Sequence, residues 1–124
     1  MKKSYKLSFG TIKLLATNLA EIIVNEGIIL NEIMVDECHD FLLSFLEAPF
    51  NLLINKTNSY SYTYGAQQII ADLKEINATA VIVWTSASLL ATDTLLSVNN
   101  HKNLNIKVFR IRDEAISWLK NTPL

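Results

Sequence analysis

A thiol, an imidazole and a carboxylate stand side by side in the segment Cys38-His39-Asp40. A cysteine beside a histidine is a pairing used in nucleophilic catalysis, because the imidazole takes the proton of the thiol. Consecutive residues of a helix point about 100° apart, so the side chains of Cys38 and His39 do not meet easily. Cys38 also shares its helical spacing with Met34 and Leu42, which predicts a buried and unreactive thiol. We therefore expect no catalytic residue and no enzyme activity.

Asp36, His39 and Asp40 offer a second kind of site, because spacings of three and four residues bring side chains to one face of a helix. Carboxylate and imidazole groups are common metal ligands. Two or three of them on a solvated helix also make an ordinary acidic surface, which we favour here. We predict no metal site and no cofactor, and the three scattered glycines form no phosphate-binding loop.

A polar, tyrosine-rich segment, residues 55–64, follows a strand that we predict to be buried. Open α/β sheets bind their ligands beyond the carboxyl ends of parallel strands, which is where this segment lies. Tyrosine combines apolar area with a polar tip and favours interfaces. We predict a partner-binding loop made of Asn55, Asn58, Ser59, Tyr60, Ser61, Tyr62 and Tyr64. In the alternative, its Asn and Ser residues cap the next helix and its tyrosines pack on the surface.

Ser59 and Ser61 are also candidate phosphorylation sites. A phosphate there would lie near a helix N-terminus, which stabilises negative charge. The next strand-to-helix junction, residues 85–88, is predicted to cap the third helix and to face the same edge of the sheet.

Period-two alternation near the start of the chain predicts an antiparallel meander. Residues 5–9 alternate between apolar and polar, and residues 12–14 resume the alternation after a tight turn near Gly10. Residues 19–24 are rich in β-branched side chains and predict the third strand.

After Asn31, which predicts a helix cap, the apolar spacing becomes that of a helix. The apolar positions of this helix are Ile33, Met34, Cys38, Phe41, Leu42, Phe45 and Leu46. Strands are predicted over residues 50–54, 78–84 and 106–111. They alternate with helices predicted over residues 69–76, 89–98 and 115–119. We expect Trp84 and Trp118 in the core or at its margin. The order βββ-α-β-α-β-α-β-α predicts one α/β domain over residues 1–124, with a mixed sheet whose later strands are parallel.

This order resembles the SpoIIAA-like fold of STAS domains (anti-sigma-factor antagonists) and, more distantly, that of CRAL-TRIO lipid-binding domains. The nearer likeness is to small bacterial STAS-like proteins without an assigned activity. Three places carry it: residues 9–12 with 25–27, residues 54–61, and residues 114–119. The resemblance implies a non-enzymatic regulatory or protein-interaction module. STAS regulators carry a phosphorylated serine after an Asp and before a nearby Gly, and the segment around Ser59 has neither.

The composition limits the kinds of partner and the cellular compartment that we expect. The 124 residues are 50% apolar and carry a net charge of −1, which gives no broad electrostatic surface for nucleic acid. A single cysteine excludes an internal disulfide, and no uninterrupted apolar stretch is long enough for a membrane span. We expect a cytoplasmic protein.

Three functions are open at this point. The first is an interaction module with an unknown protein partner, with a homodimer as one arrangement. The second is a small-molecule or lipid carrier, by analogy with CRAL-TRIO domains; since a 14.0 kDa chain spends most of its apolar residues on its own core, we expect little room for a large cavity. The third is an enzyme whose His101 converges with the loop residues.

Overall fold

The computed structural model describes residues 3–100 and 102–124, so Met1, Lys2 and the predicted convergence of His101 with the loop lie outside the described residues. The elements, in chain order, are β1 (Lys3–Lys6), β2 (Gly10–Ala16), β3 (Leu19–Val24), β4 (Ile29–Leu30), α1 (Glu32–Phe45), β5 (Phe50–Lys56), β6 (Ser61–Tyr62), α2 (Tyr64–Ile69), β7 (Ile76–Val83), α3 (Ser86–Val98), β8 (Ile106–Phe109) and α4 (Arg112–Asn121).

Six of the strands form one mixed sheet in the order β1-β2-β3-β5-β7-β8. The pairs β1–β2 and β2–β3 are antiparallel, and the pairs β3–β5, β5–β7 and β7–β8 are parallel. This confirms the predicted α/β class, with a meander followed by parallel strands. The two short strands β4 and β6 pair in parallel as a separate ribbon beside the main sheet.

Helices cover both faces of the sheet. Alternate residues of β3 and β5, such as Ile22 and Leu52, pack with α1 and α2 on one face. Leu53, one residue further along β5, packs with Ala115 and Leu119 of α4 on the opposite face. The period of two along each strand therefore divides the apolar side chains into two cores, one under α1 and α2 and one under α4.

Two predicted helix caps are confirmed. The side-chain oxygen of Asn31 accepts a hydrogen bond from the backbone N–H of Met34 at 2.9 Å. Thr85 and Ser88 form a reciprocal capping box at the start of α3. Each cap satisfies backbone donors that the first helical turn leaves without a partner.

The first hairpin turns slightly earlier than its pattern predicts. The backbone N–H of Leu7 donates to the carbonyl oxygen of Gly10, so β1 ends at Lys6 instead of running to Phe9. A Cβ at Gly10 would lie 2.1 Å from the carbonyl oxygen of Ile23. Only glycine therefore lets β2 approach β3 this closely.

Three further predictions are wrong in detail. In α1, Ile33 is 78% exposed and Phe45 is 50% exposed, because the buried stripe passes through Val35 instead. Trp84 is 52% exposed, since β7 ends one residue before it. Ile76, expected on the second helix, begins β7.

Candidate functional site

A cavity of about 440 Å³ lies between the sheet, the helices α1 and α3, and the segment that follows α2. Its walls are mainly apolar and include Leu52 and Ile54 of β5, Val81 of β7, Leu42 of α1 and Leu95 of α3. We call it the apolar cavity. Its size lies within the range of about 300–1,000 Å³ that is usual for small-molecule pockets. The sequence led us to expect little room for a large cavity, and the cavity found lies near the lower end of this range.

The short second helix explains why the core is not filled. The apolar residues Ile69, Ile70, Leu73 and Ile76 predict a helix over 69–76, but α2 ends at Ile69. The chain from Ile70 to Ile76 instead lines one end of the apolar cavity. A helix of six residues covers less of the sheet than the two helices beside it, and the uncovered part becomes the cavity.

One end of the apolar cavity lies at the edge of the sheet where the parallel strands begin. The loops before β7 and β8, residues 70–75 and 102–105, supply its lining there. Lys102 joins these two loops, because its ammonium donates to the carboxylate of Asp72 and to the carbonyl oxygen of Gln68.

The opposite end carries Lys56, the last residue of β5. Lys56 follows Leu52 and Ile54 at spacings of four and two, so the strand turns its side chain to the same face. The whole residue is 6% exposed, and it lines the apolar cavity. A lysine on an otherwise apolar strand face places a positive charge at the end of an apolar space.

Two tyrosines meet Lys56 at this end. Its Nζ lies 5.6 Å from the ring centroid of Tyr60 and 5.3 Å from that of Tyr62. The two hydroxyl oxygens are 3.3 Å apart and share a hydrogen bond. Pairing of β6 with β4 sets Tyr62 opposite Leu30, which holds the pair against the core.

The surroundings fix the charges of these three groups. Burial lowers the pKa of Lys56 to about 8. Burial raises the pKa of Tyr62 to about 12 and that of Tyr60 well above its ordinary value. At neutral pH the site therefore holds one ammonium and two neutral phenols.

A second, polar cleft of about 510 Å³ adjoins Lys56 and Tyr60 at the carboxyl edge of the parallel strands. Thr57, Asn58 and Ser59 line it from the segment after β5. Thr85 and Ser88, at the start of α3, line it from the next junction, so the prediction that both junctions face one edge is confirmed. We call it the polar cleft.

The predicted partner-binding residues do not form one surface. Asn55 lies at the end of β5 on the face of α4, where it donates to Glu21 at 3.0 Å and accepts from Trp84 Nε1 at 2.8 Å. Asn58 donates to the carbonyl oxygen of Val24 at 2.9 Å.

The remaining loop residues divide between the interior and the surface. Tyr60 and Tyr62 line the apolar cavity, while Ser59, Ser61 and Tyr64 are exposed. The cap of α2 is provided by Thr63, whose hydroxyl oxygen accepts from the backbone N–H of Ala66 at 3.1 Å, and not by an Asn or Ser residue.

The thiol of Cys38 is buried at the lining of the apolar cavity, and this burial raises its pKa to about 12. The ring Nε2 of His39 lies 3.0 Å from the carbonyl oxygen of Ile70, and Asp36 and Asp40 are exposed. Across residues 3–100 and 102–124, no group of three or more His, Cys, Asp or Glu side chains is arranged to hold a metal ion.

Lys56 is the site residue that the sequence analysis missed. The change from an apolar run to a polar segment at Asn55 made Lys56 look like the start of a loop. The usable signal is the period of two that runs from Leu52 through Ile54 to Lys56.

No protein-family model matches this chain, and neither does any curated protein or solved structure. The structure shows a mixed α/β sheet, whereas the resemblance to STAS-like proteins stays a prediction. None of the helices in the described part of the chain is long and apolar enough to cross a membrane.

Proposed function

We propose that this protein binds a small apolar molecule in the apolar cavity. The observation that carries the proposal is the cavity itself, about 440 Å³ of space within the main core, lined by the sheet, by α1 and α3, and by the segment after α2. Small-molecule sites are concave and mostly apolar, with a few polar groups that fix the orientation of the ligand. Lys56, Tyr60 and Tyr62 are such a group, gathered at one end.

The proposal is one of binding and not of catalysis. Cys38 lines the apolar cavity. Its thiol stays protonated, because burial raises its pKa to about 12 and leaves almost no thiolate at neutral pH. The two tyrosines are likewise neutral. The groups at the site are therefore suited to holding a ligand in place.

An interaction module of STAS-like type, the first hypothesis from the sequence, receives less support. Tyr60 and Tyr62, two of the residues predicted to contact a partner, line the apolar cavity instead. Tyr64 is 69% exposed and remains available to a partner, together with Ser59 and Ser61.

Titration with a neutral apolar dye tests the proposal. Nile red, whose fluorescence rises in an apolar environment, is added to the wild-type protein and to Ile54→Phe, which enlarges a side chain in the cavity wall. The matched control is Ile23→Phe, because Ile23 lies on β3 between the inward-facing Ile22 and Val24 and so points to the other face.

We expect saturable dye binding by the wild-type protein and by Ile23→Phe, and a large loss of binding by Ile54→Phe. Circular dichroism checks that both variants keep the fold. If the wild-type protein does not bind the dye, or if both folded variants bind it as the wild type does, the apolar cavity is not a binding site.

A further inference from the structure

Lys56 is a buried cation for which the described residues provide no anion. It is 6% exposed, and no described carboxylate lies within 4.0 Å of its Nζ. The ion pairs among the described residues are Lys102–Asp72 and Arg112–Glu21. Burying a charge without an opposite charge costs folding free energy, which the ring faces of Tyr60 and Tyr62 offset only in part, so this position favours a ligand that supplies the missing charge.

The groups around Lys56 are hydrogen-bond donors. Of the hydroxyls of Tyr60 and Tyr62, one donates to the other, and the second keeps its hydrogen for another acceptor. Both phenols stay neutral at physiological pH, so neither supplies a negative charge. One ammonium and one free hydroxyl hydrogen are complementary to an acceptor that carries a single negative charge.

We propose that Lys56, with Tyr60 and Tyr62, binds the carboxylate of a ligand whose apolar chain occupies the apolar cavity. The inference rests on the proposed function and adds the class of the ligand, a carboxylic acid with an apolar chain. The chain extends from Lys56 past Ile54 and Val81 towards the loops before β7 and β8.

A carboxylate fits the charge of this site better than a phosphate group does. A carboxylate carries one negative charge, which the single ammonium of Lys56 neutralises. A phosphate monoester carries about 1.5 to 2 negative charges at neutral pH and would leave part of that charge unpaired among apolar walls.

The pH dependence of binding follows from the buried amine. Since burial lowers the pKa of Lys56 to about 8, the free protein loses the cation above that pH, and binding of a carboxylate then requires the uptake of a proton. The affinity for an acid falls by up to about tenfold per pH unit in that range, whereas the affinity for a neutral alcohol does not. The other titratable groups that line the apolar cavity or the polar cleft are Glu26, Cys38, His39, Tyr60, Tyr62, Asp72, Lys74 and Lys102.

Displacement of Nile red by ligands with one chain and different head groups tests this inference. Dodecanoic acid, dodecanol and methyl dodecanoate share an apolar chain, and only the acid carries a charge at neutral pH. The variants are Lys56→Met, which removes the cation and keeps the length of the side chain, and Lys56→Arg, which keeps the charge. Lys120→Met is the matched control, because Lys120 is exposed on α4, which covers the other face of the sheet.

We expect the wild-type protein to bind the acid more tightly than the alcohol or the ester. Lys56→Met weakens binding of the acid by about tenfold to a hundredfold, the range for a hydrogen bond to a charged group, and leaves binding of the alcohol unchanged. Lys56→Arg keeps the preference for the acid, and Lys120→Met leaves the binding of both ligands unchanged. Dye binding itself shows that each variant retains the cavity.

Two results overturn the inference while the proposed function stands. In one, the wild-type protein binds the dye but is indifferent to the charge of the competing ligand. In the other, Lys56→Met binds the acid as tightly as the wild-type protein does, which would place the head group away from Lys56. If the wild-type protein binds neither dye nor ligand, the proposed function itself fails.

Discussion

Burial of the Lys56 ammonium costs folding free energy, because water solvates this charge better than the protein interior does. The size of that cost depends on pH. In the unfolded chain the pKa of Lys56 is near 10.5, whereas burial lowers it to about 8 in the folded protein. Between these values the unfolded state binds more protons, so the free energy of unfolding rises as the pH rises through this window. The full shift corresponds to about 3 kcal/mol, at 1.36 kcal/mol per pH unit.

We predict that Lys56→Met unfolds at a higher urea concentration than the wild-type protein at neutral pH. The difference is largest below pH 8 and shrinks between pH 8 and 10.5, because the folded wild-type protein releases the proton of the amine in this range. Tyr62 acts in the opposite direction, but only above its unfolded pKa of about 10. A variant that is less stable than the wild-type protein at neutral pH would show that the buried ammonium has a partner after all.

Prediction from the sequence failed most for the burial and the contacts of single residues. Glu21 reads as one polar residue in an apolar strand, yet it is 2% exposed and paired with Arg112, 91 residues further along the chain. Burial of Lys56 likewise depends on Tyr60 and Tyr62, which a separate ribbon holds in place. Contacts between distant segments leave no local pattern, so the spacing of residues does not reveal them.

At the scale of elements, α4 is joined to the sheet by a network at its first turn. Arg112 donates to Glu21 on β3 at 2.7 Å, and Asn55 on β5 donates to the same carboxylate. Burial raises the pKa of Glu21, but the hydrogen bonds from Arg112 and Asn55 outweigh it and hold the pKa below its usual value of 4.5. This stabilisation is present above pH 4.5 and is lost as the pH falls through the folded pKa.

Arg112→Met is predicted to lower the free energy of unfolding at neutral pH by about 2–3 kcal/mol, because it leaves the buried carboxylate of Glu21 with Asn55 alone. Arg110→Met is the matched control, since Arg110 is exposed and takes no part in this network. Urea unfolding of the two variants measures the difference. Equal stability of both would mean that Glu21 does not depend on its ion pair.

Elements were the scale at which the sequence was most informative. Alternation predicted β2, β-branched residues predicted β3, and a nearly continuous apolar run predicted β5. The side chains of Asn31 and Thr85 marked the starts of α1 and α3. The second helix was predicted too far along the chain, over 69–76 instead of Tyr64–Ile69, because Ile70 and Leu73 also fit a helical spacing. An apolar residue that lines a cavity and one that packs on a helix face have the same spacing, so the pattern alone does not separate them.

For the whole molecule, the sheet separates two cores that differ in packing. The face under α4 is closed by Leu53, Ala80, Ile82 and Leu119, each at most 1% exposed. The face under α1, α2 and α3 contains the apolar cavity, because α2 is short. We infer that one face stabilises the fold while the other receives the ligand.

Methyl NMR spectroscopy tests the central claim, that the apolar cavity binds a small apolar molecule. In a sample labelled at the methyl groups of Ile, Leu and Val, addition of dodecanol is predicted to shift the signals of Leu52, Ile54 and Val81, which line the cavity. The signals of Ile82 and Leu119, on the face of α4, are predicted to stay in place. Unchanged spectra, or shifts concentrated on the face of α4, would contradict the claim.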